Sequence, residues 1–227
     1  MPNFCYDEDV IDAALSGRPV LFPLHEAKQQ LVREAIAHAA LDLFAAKSFE
    51  GATVDEIAHA AGVSRRSFFR YFASKNDLMA QMMIGYGHAL AEAIAAAPRA
   101  YSPIEVVRDA VLRISALVAE YPRTRQIIRI VEASAAAREA QTSRRGEVED
   151  RVAAAFGARL GVPPAGPMPA LLASLILSIM DVTLKLWSSQ PQADVVGIAD
   201  QVMANLTSLV GARAPRLRQK QRGARRR

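Results

Sequence analysis

With 227 residues the chain can bury a sizeable core as one large or two small domains, and 51% hydrophobic with 22% charged residues is the composition of a soluble globular protein. The net charge of +5 points to an acidic partner, but eight of the 28 basic residues follow Ala212, leaving 20 basic against 23 acidic residues and a net of −3 on the rest, so attraction to nucleic acid must come from local patches and the tail. A single cysteine, Cys5, excludes an intrachain disulfide, the acidic start lacks the marks of a signal peptide, and the most apolar stretch, 170–180, is too short to span a bilayer; the reading is a cytoplasmic protein without a membrane partner.

Residues 1–25 form an N-terminal arm in which Pro19 and Pro23 break any regular pattern. A first helix is expected over 26–46, with Ile36, Ala40 and Leu43 facing a small core. The next stretch is the most informative. Val54, Ile57, Ala58 and Ala61 fall at i, i+3, i+4 and i+7, one apolar face of a short helix. Thr53 with Glu56 three residues on makes a capping box at its start. Gly62 supplies the left-handed backbone that ends it, and Ser64 caps a second helix. Two short helices across a Gly-containing turn have the spacing of a helix-turn-helix.

The second of these helices opens with Arg65 and Arg66, against the positive end of its own dipole. A local rule broken without local gain marks function. In a helix-turn-helix these positions enter the DNA major groove, where arginines meet guanine edges or phosphates; Arg65, Arg66, Ser67 and Arg70 are the candidates. Phe68 and Phe72 at i, i+4 close the small core instead.

Ser74 and Asp77 cap a long helix to about residue 97, and Lys75 in its first turn again opposes the dipole. Gly85-Tyr86-Gly87 inside it marks either close packing against a neighbouring helix or a weak point that bends. Ser102-Pro103 starts a helix to residue 120, and further helices are expected over 124–137 and 138–160, the latter closed by Gly161. After a loop with four prolines, 170–188 is apolar nearly all round, and Val195, Ile198, Ala199, Val202, Met203, Leu206 and Leu209 stripe a last helix. The tail, 212–227, holds eight basic residues and no acid; it cannot bury a core, and it serves either non-specific DNA contact or solubility.

From Leu31 to Asp77 the chain resembles the DNA-binding domain of the tetracycline-repressor (TetR) family, through Ile36, Ala40, Leu43, Phe44 and Phe49, the run Thr53-Val54 with Ile57-Ala58 and Ala61-Gly62-Val63-Ser64, then Phe68, Tyr71-Phe72, Ser74-Lys75 and Leu78. The resemblance implies an all-α protein with a three-helix DNA-binding domain over 26–76 and a ligand-binding and dimerisation bundle over 77–211. It places Thr53, Ser64, Tyr71 and Lys75 on phosphates and makes the last two helices a homodimer interface. Three positions depart from the family pattern. Ser48 and Arg66 stand where glycine is usual, and Phe69 replaces a phosphate-binding tyrosine, its ring left to touch sugar or a thymine methyl. The implied protein is a DNA-binding transcriptional regulator, a repressor released by a small hydrophobic effector; an architectural DNA-binding protein without an effector is the alternative.

Similarity around 64–72 and 117–122 to a subgroup of actinobacterial regulators suggests an acyl-CoA-like effector, with Arg123, Arg125 or Arg129 on its phosphates, though solvated surface arginines explain the same letters. Met82, Met83, Tyr86, Ile128 and Trp187 are the pocket candidates, each of them also readable as plain core. No cofactor motif is present, and no catalytic grouping: His25, His38, His59 and His88 lie on separate segments, and His88 with Glu92 is too sparse for a metal site.

Overall fold

The computed structural model describes residues 24–190 and 192–211; most of the N-terminal arm and the whole basic tail lie outside the described residues. Among the described residues there are helices and no strand. In order they are α1 Leu24–Gly51, α2 Val54–Ala60, α3 Arg65–Tyr71, α4 Lys75–Ala96, α5 Pro103–Glu120, α6 Thr124–Ala133, α7 Ala135–Thr142, α8 Arg145–Leu160, α9 Pro167–Ser188 and α10 Val195–Gly211.

Local chemistry sets most of the boundaries. Thr53 Oγ1 accepts the Glu56 amide while Glu56 Oε2 accepts the Thr53 amide at 3.0 Å, the reciprocal box read from the sequence. Gly62 at φ 68° and Gly161 at φ 67° end α2 and α8 as expected. Ser64, Ser74 and Ser102 stand at the starts of α3, α4 and α5. α1 runs to Gly51 only by crossing a kink at Ser48, whose φ of 70° and ψ of 165° are a glycine conformation forced on a serine.

The first helix runs past the expected 46 to Gly51, and the larger difference lies further along the chain. The helices expected over 124–137 and 138–160 are three, because Ser134 turns extended (φ −129°, ψ 124°) and its hydroxyl accepts the Ala137 amide at 2.9 Å. Ser134 ends α6 and caps α7, and a second break at 143–144 precedes α8. A serine inside an alanine-rich helical pattern carries that signal only weakly.

Two cores result. The smaller gathers Ile36, Leu41, Phe44, Phe49, Ile57, Phe68 and Phe72 from α1 to α3, with Leu43 only partly buried against it. It is completed from outside those three helices, by Leu78, Met79 and Met82 of α4 and by Ile130, Ala137 and Ala140 of α6 and α7. The larger core is built by α4, α5, α8, α9 and α10 around Leu90, Ile94, Val107, Phe156, Ile176 and Met180. α4, about 33 Å long at 1.5 Å per residue, runs through both. Gly87 shows why a glycine stands in its middle: a Cβ there would lie 2.8 Å from Val148 Cγ1 on α8. Close packing, not bending, accounts for it.

α9 has the length and apolar composition of a membrane-crossing helix, more than the 170–180 stretch suggested. Its inner face, with Leu172, Ala173, Ile176, Leu177 and Met180, is buried in the bundle, while Leu171, Val182 and Leu186 face outward at 61%, 48% and 41% exposure.

Candidate DNA-reading surface and effector cavity

The outer face of α3 carries Arg65, Arg66, Phe69 and Arg70, all exposed, with Ser67 half-buried. Phe68, at the same helix's inner face, is fully buried and holds α3 against α1 and α2. The helix therefore stands on an apolar base and presents three guanidinium groups outward, with no acid in its first turn. Phe69 is 44% exposed, an apolar ring among cations. Its centroid lies 5.4 Å from the Arg65 guanidinium carbon, and Arg65 Nη1 donates to both Asp55 carboxylate oxygens at 2.6 Å.

The expected phosphate anchors divide. Thr53 and Ser64 sit at the N-termini of α2 and α3, where backbone amides point outward, and Ser64 Oγ also lies 3.0 Å from Ser67 Oγ. Tyr71 is mostly buried, with its hydroxyl accepting from Arg70 Nη2 at 2.9 Å and the guanidinium groups of Arg70 and Arg33 4.8 and 5.8 Å from its ring. Lys75 is placed differently from the expectation. Its ammonium donates to the carbonyls of Phe49 (2.6 Å), Glu50 (3.1 Å) and Ala52 (3.0 Å), so its three donors are spent on the end of α1. The cation at the start of α4 is justified by the negative C-terminal end of α1 rather than by a phosphate.

A cavity of about 500 Å³ opens between α4, α6, α7, α8 and α9. Met82, Met83 and Tyr86 form its α4 wall and Ile127, Ile128 and Val131 its α6 wall, so four of the five pocket candidates line it. Trp187 does not. It is buried beside the cavity, donates from Nε1 to the Ala193 carbonyl at 3.0 Å, and lies 4.0 Å from the Arg125 guanidinium carbon, which makes it core. The arginines expected on effector phosphates are also occupied or remote. Arg125 caps α9 through the carbonyls of Trp187, Gln190 and Ala193, and Arg123 pairs with Asp42 at 2.5 Å, holding that carboxyl below its usual range. Arg129 is exposed and does not line the cavity.

The cavity's charged groups are others: Arg138 and Arg145, Glu132, Asp181 and Lys185, three cations against two anions. Arg145 Nη1 bonds Asp181 at 2.8 Å. No local pattern brings residues 138 to 185 together, so only the fold could reveal this set. In the wall, the Tyr86 hydroxyl is buried with no hydrogen-bond partner among the described residues; burial first, and the Asp181 charge second, push its ionisation up, so it is a neutral donor. Among the described residues no three His, Cys, Asp or Glu side chains converge as metal ligands.

A helix-turn-helix at one end and a hollow bundle at the other, with helices alone among the described residues, is the architecture of a one-component DNA-binding regulator. The comparisons name the family. Residues 36–82 match the family model of bacterial regulatory proteins of the tetR family, and residues 101–211 match the MftR C-terminal domain. The chain belongs to the TetR family of DNA-binding transcriptional regulators. It is 26% identical over 194 residues to the transcriptional regulator TcmR of Streptomyces glaucescens, covering 82% of this chain and 84% of that one. It is 54% identical over 43 residues to a putative mycofactocin biosynthesis regulator, MftR, of Mycobacterium tuberculosis, which is 19% of this chain and 22% of that one. Among solved structures, NalD, the secondary repressor of the MexAB-OprM multidrug efflux pump in Pseudomonas aeruginosa, aligns with a TM-score of 0.58 at 20% identity, covering 79% of this chain and 96% of that one. The Bacillus subtilis regulator FadR, solved with stearoyl-CoA, aligns with a TM-score of 0.55 at 18% identity over 77% of this chain and 97% of that one.

Proposed function

We propose that the protein is a cytoplasmic, ligand-responsive repressor that binds a palindromic operator as a homodimer through α9 and α10 and is released by a small hydrophobic effector bearing an anionic group. Arg65, Arg66, Ser67, Phe69 and Arg70 face the groove, with Thr53, Ser64 and Tyr71 toward the backbone. Lys75 contributes by holding α4 to α1. The effector places its apolar body against Met82, Met83, Ile127 and Ile128, an oxygen near the Tyr86 hydroxyl, and its anionic end toward Arg138, Arg145 and Lys185, where the cations outnumber the anions.

The observation that carries this reading is that the cavity wall and the DNA-binding core share side chains. Met82 lines the cavity and belongs to the small core, and Ile127 and Val131 line the cavity while packing on that same core. Packed interiors deform by switching arrangement rather than by yielding, so a ligand filling this space displaces the base on which α3 stands. A coupling of about 1–3 kcal/mol is enough to move operator affinity 5- to 150-fold.

The experiment is selection of bound fragments from a genomic DNA library by the full-length protein, then titration of the recovered site with acyl-CoA thioesters of increasing chain length. A two-fold symmetric site that long-chain thioesters release, and that free coenzyme A does not, supports the reading. A symmetric site indifferent to every thioester overturns an acyl-CoA-like effector, and recovery of no site overturns the regulator.

A further inference from the structure

Asp55 is a carboxylate on the face that must approach a polyanion. It is the second residue of α2, with 62% of its side chain exposed, and the capping work at that helix start is already done by Thr53 and Glu56. A negative charge there lowers affinity for every duplex, since each phosphate contact depends on net positive charge. Something must offset that cost, and the geometry points to Arg65.

Both Asp55 oxygens lie 2.6 Å from Arg65 Nη1, and the Phe69 ring lies 5.4 Å from the same guanidinium carbon. The guanidinium is thus bracketed by a carboxylate and an aromatic ring while standing at the first position of α3. Both bonds are made by Nη1, which leaves Nε and Nη2, two parallel donors whose spacing matches the O6 and N7 acceptors of guanine. Arginine has long, freely rotating side-chain bonds, and an unheld guanidinium can meet a phosphate as readily as a base. We infer that Asp55 is a positioning residue for DNA specificity: it holds Arg65, against Phe69, in the orientation that reads a guanine edge, giving up general affinity for sequence discrimination. In free protein the exposed pair contributes little to stability. In the groove, with water expelled, the same contact strengthens.

The inference rests on the DNA-reading role of α3, and its test keeps the two apart. Full-length wild type, Asp55→Ala, Asp55→Asn, Arg65→Ala and the Asp55→Ala/Arg65→Ala double variant are each presented with a randomised duplex pool, and affinities for the wild-type site and a scrambled duplex are measured at one salt concentration. Asp55→Ala is expected to bind the scrambled duplex more tightly than wild type and to lose on the order of tenfold in the ratio of specific to scrambled affinity. Base preference should flatten at the same position as in Arg65→Ala, and the double variant should be no less selective than Arg65→Ala alone, because the two residues act as one unit. Asp55→Asn keeps a hydrogen-bonding group at the α2 start and should show the same flattening in a fully folded protein. An unchanged base profile in Asp55→Asn and Asp55→Ala, with or without a fall in thermal midpoint, overturns the inference and leaves Asp55 a helix-end charge. A wild-type protein that selects no site removes the reading of α3 and the inference with it.

Discussion

Ser48 carries the clearest backbone strain among the described residues. At φ 70° and ψ 165° it occupies a region that only glycine enters freely, at a cost of about 1–3 kcal/mol. Its hydroxyl partly compensates by accepting the Gly51 amide at 3.2 Å, a bond of about 1 kcal/mol. Ser48→Gly is therefore expected to raise unfolding free energy by about 1 kcal/mol, measured by urea denaturation, with operator affinity unchanged. A few residues away, Glu56 is held at a pKa of about 2, from an ordinary 4.5, first by the Lys47 ammonium and then by the Thr53 amide and hydroxyl. Because the folded value is the lower one, its contribution is complete above about pH 4.5 and is lost as pH falls from there toward 2. The protection factor of the Thr53 amide, its exchange rate relative to the intrinsic rate at each pH, should fall through that window, and Glu56→Gln should abolish the dependence; an amide whose protection ignores Glu56 protonation would contradict the box. The Thr53–Glu56 box is readable in the sequence because a cap acts over three positions, whereas Ser48 stands out only through the family resemblance, which has glycine there.

Elements were legible for the same reason, and failed to be where the cause was distant. The starts of α2 through α5 follow from Ser and Thr caps, and the apolar stripes of α2 and α10 from their spacing. The break at Ser134 is not legible locally because what stabilises it lies elsewhere in the chain. Ser134 Oγ donates to the Glu50 carboxylate at the end of α1, lowering its pKa, and the turn seats Ala137 and Ala140 in the small core. The partners of Lys75 are hidden for a like reason: the carbonyls it meets sit more than twenty residues back in the chain. The pairing of α4 with α8 lies between the two cases. Gly87 was legible as a packing glycine, whereas Val148 as its partner was not. Gly87→Ala must push against Val148 Cγ1 at 2.8 Å, so it is expected to destabilise the protein by about 1–3 kcal/mol in thermal or chemical unfolding. Val148→Ala in the same chain should recover much of that loss, since it removes the two γ-carbons that the new methyl meets most closely. If the double variant were as unstable as the sum of the two single ones, the contact between α4 and α8 would not be the reason for the glycine.

At the scale of the whole molecule, the bundle has more apolar surface than one chain can hide. Along α9, Leu171, Val182 and Leu186 stand outside the core at 61%, 48% and 41% exposure, the last two one helical turn apart, and Leu209 of α10 is 76% exposed. Apolar surface of this kind suits the proposed homodimer, in which two recognition helices on a two-fold axis would double the contacts with a palindrome. Replacing Val182 and Leu186 together by Glu places two charges in that seam while leaving the inward face of α9 intact. The variant should sediment as a monomer with a near-native thermal midpoint and lose on the order of a hundredfold or more in affinity for the full operator, since joining two half-site contacts through one dimer multiplies affinity by roughly that much or more. Affinity for an isolated half-site should match that of the wild-type monomer. A variant that remains dimeric would move the seam to another face, and one that turned monomeric yet bound the full operator undiminished would mean that each chain reads DNA alone.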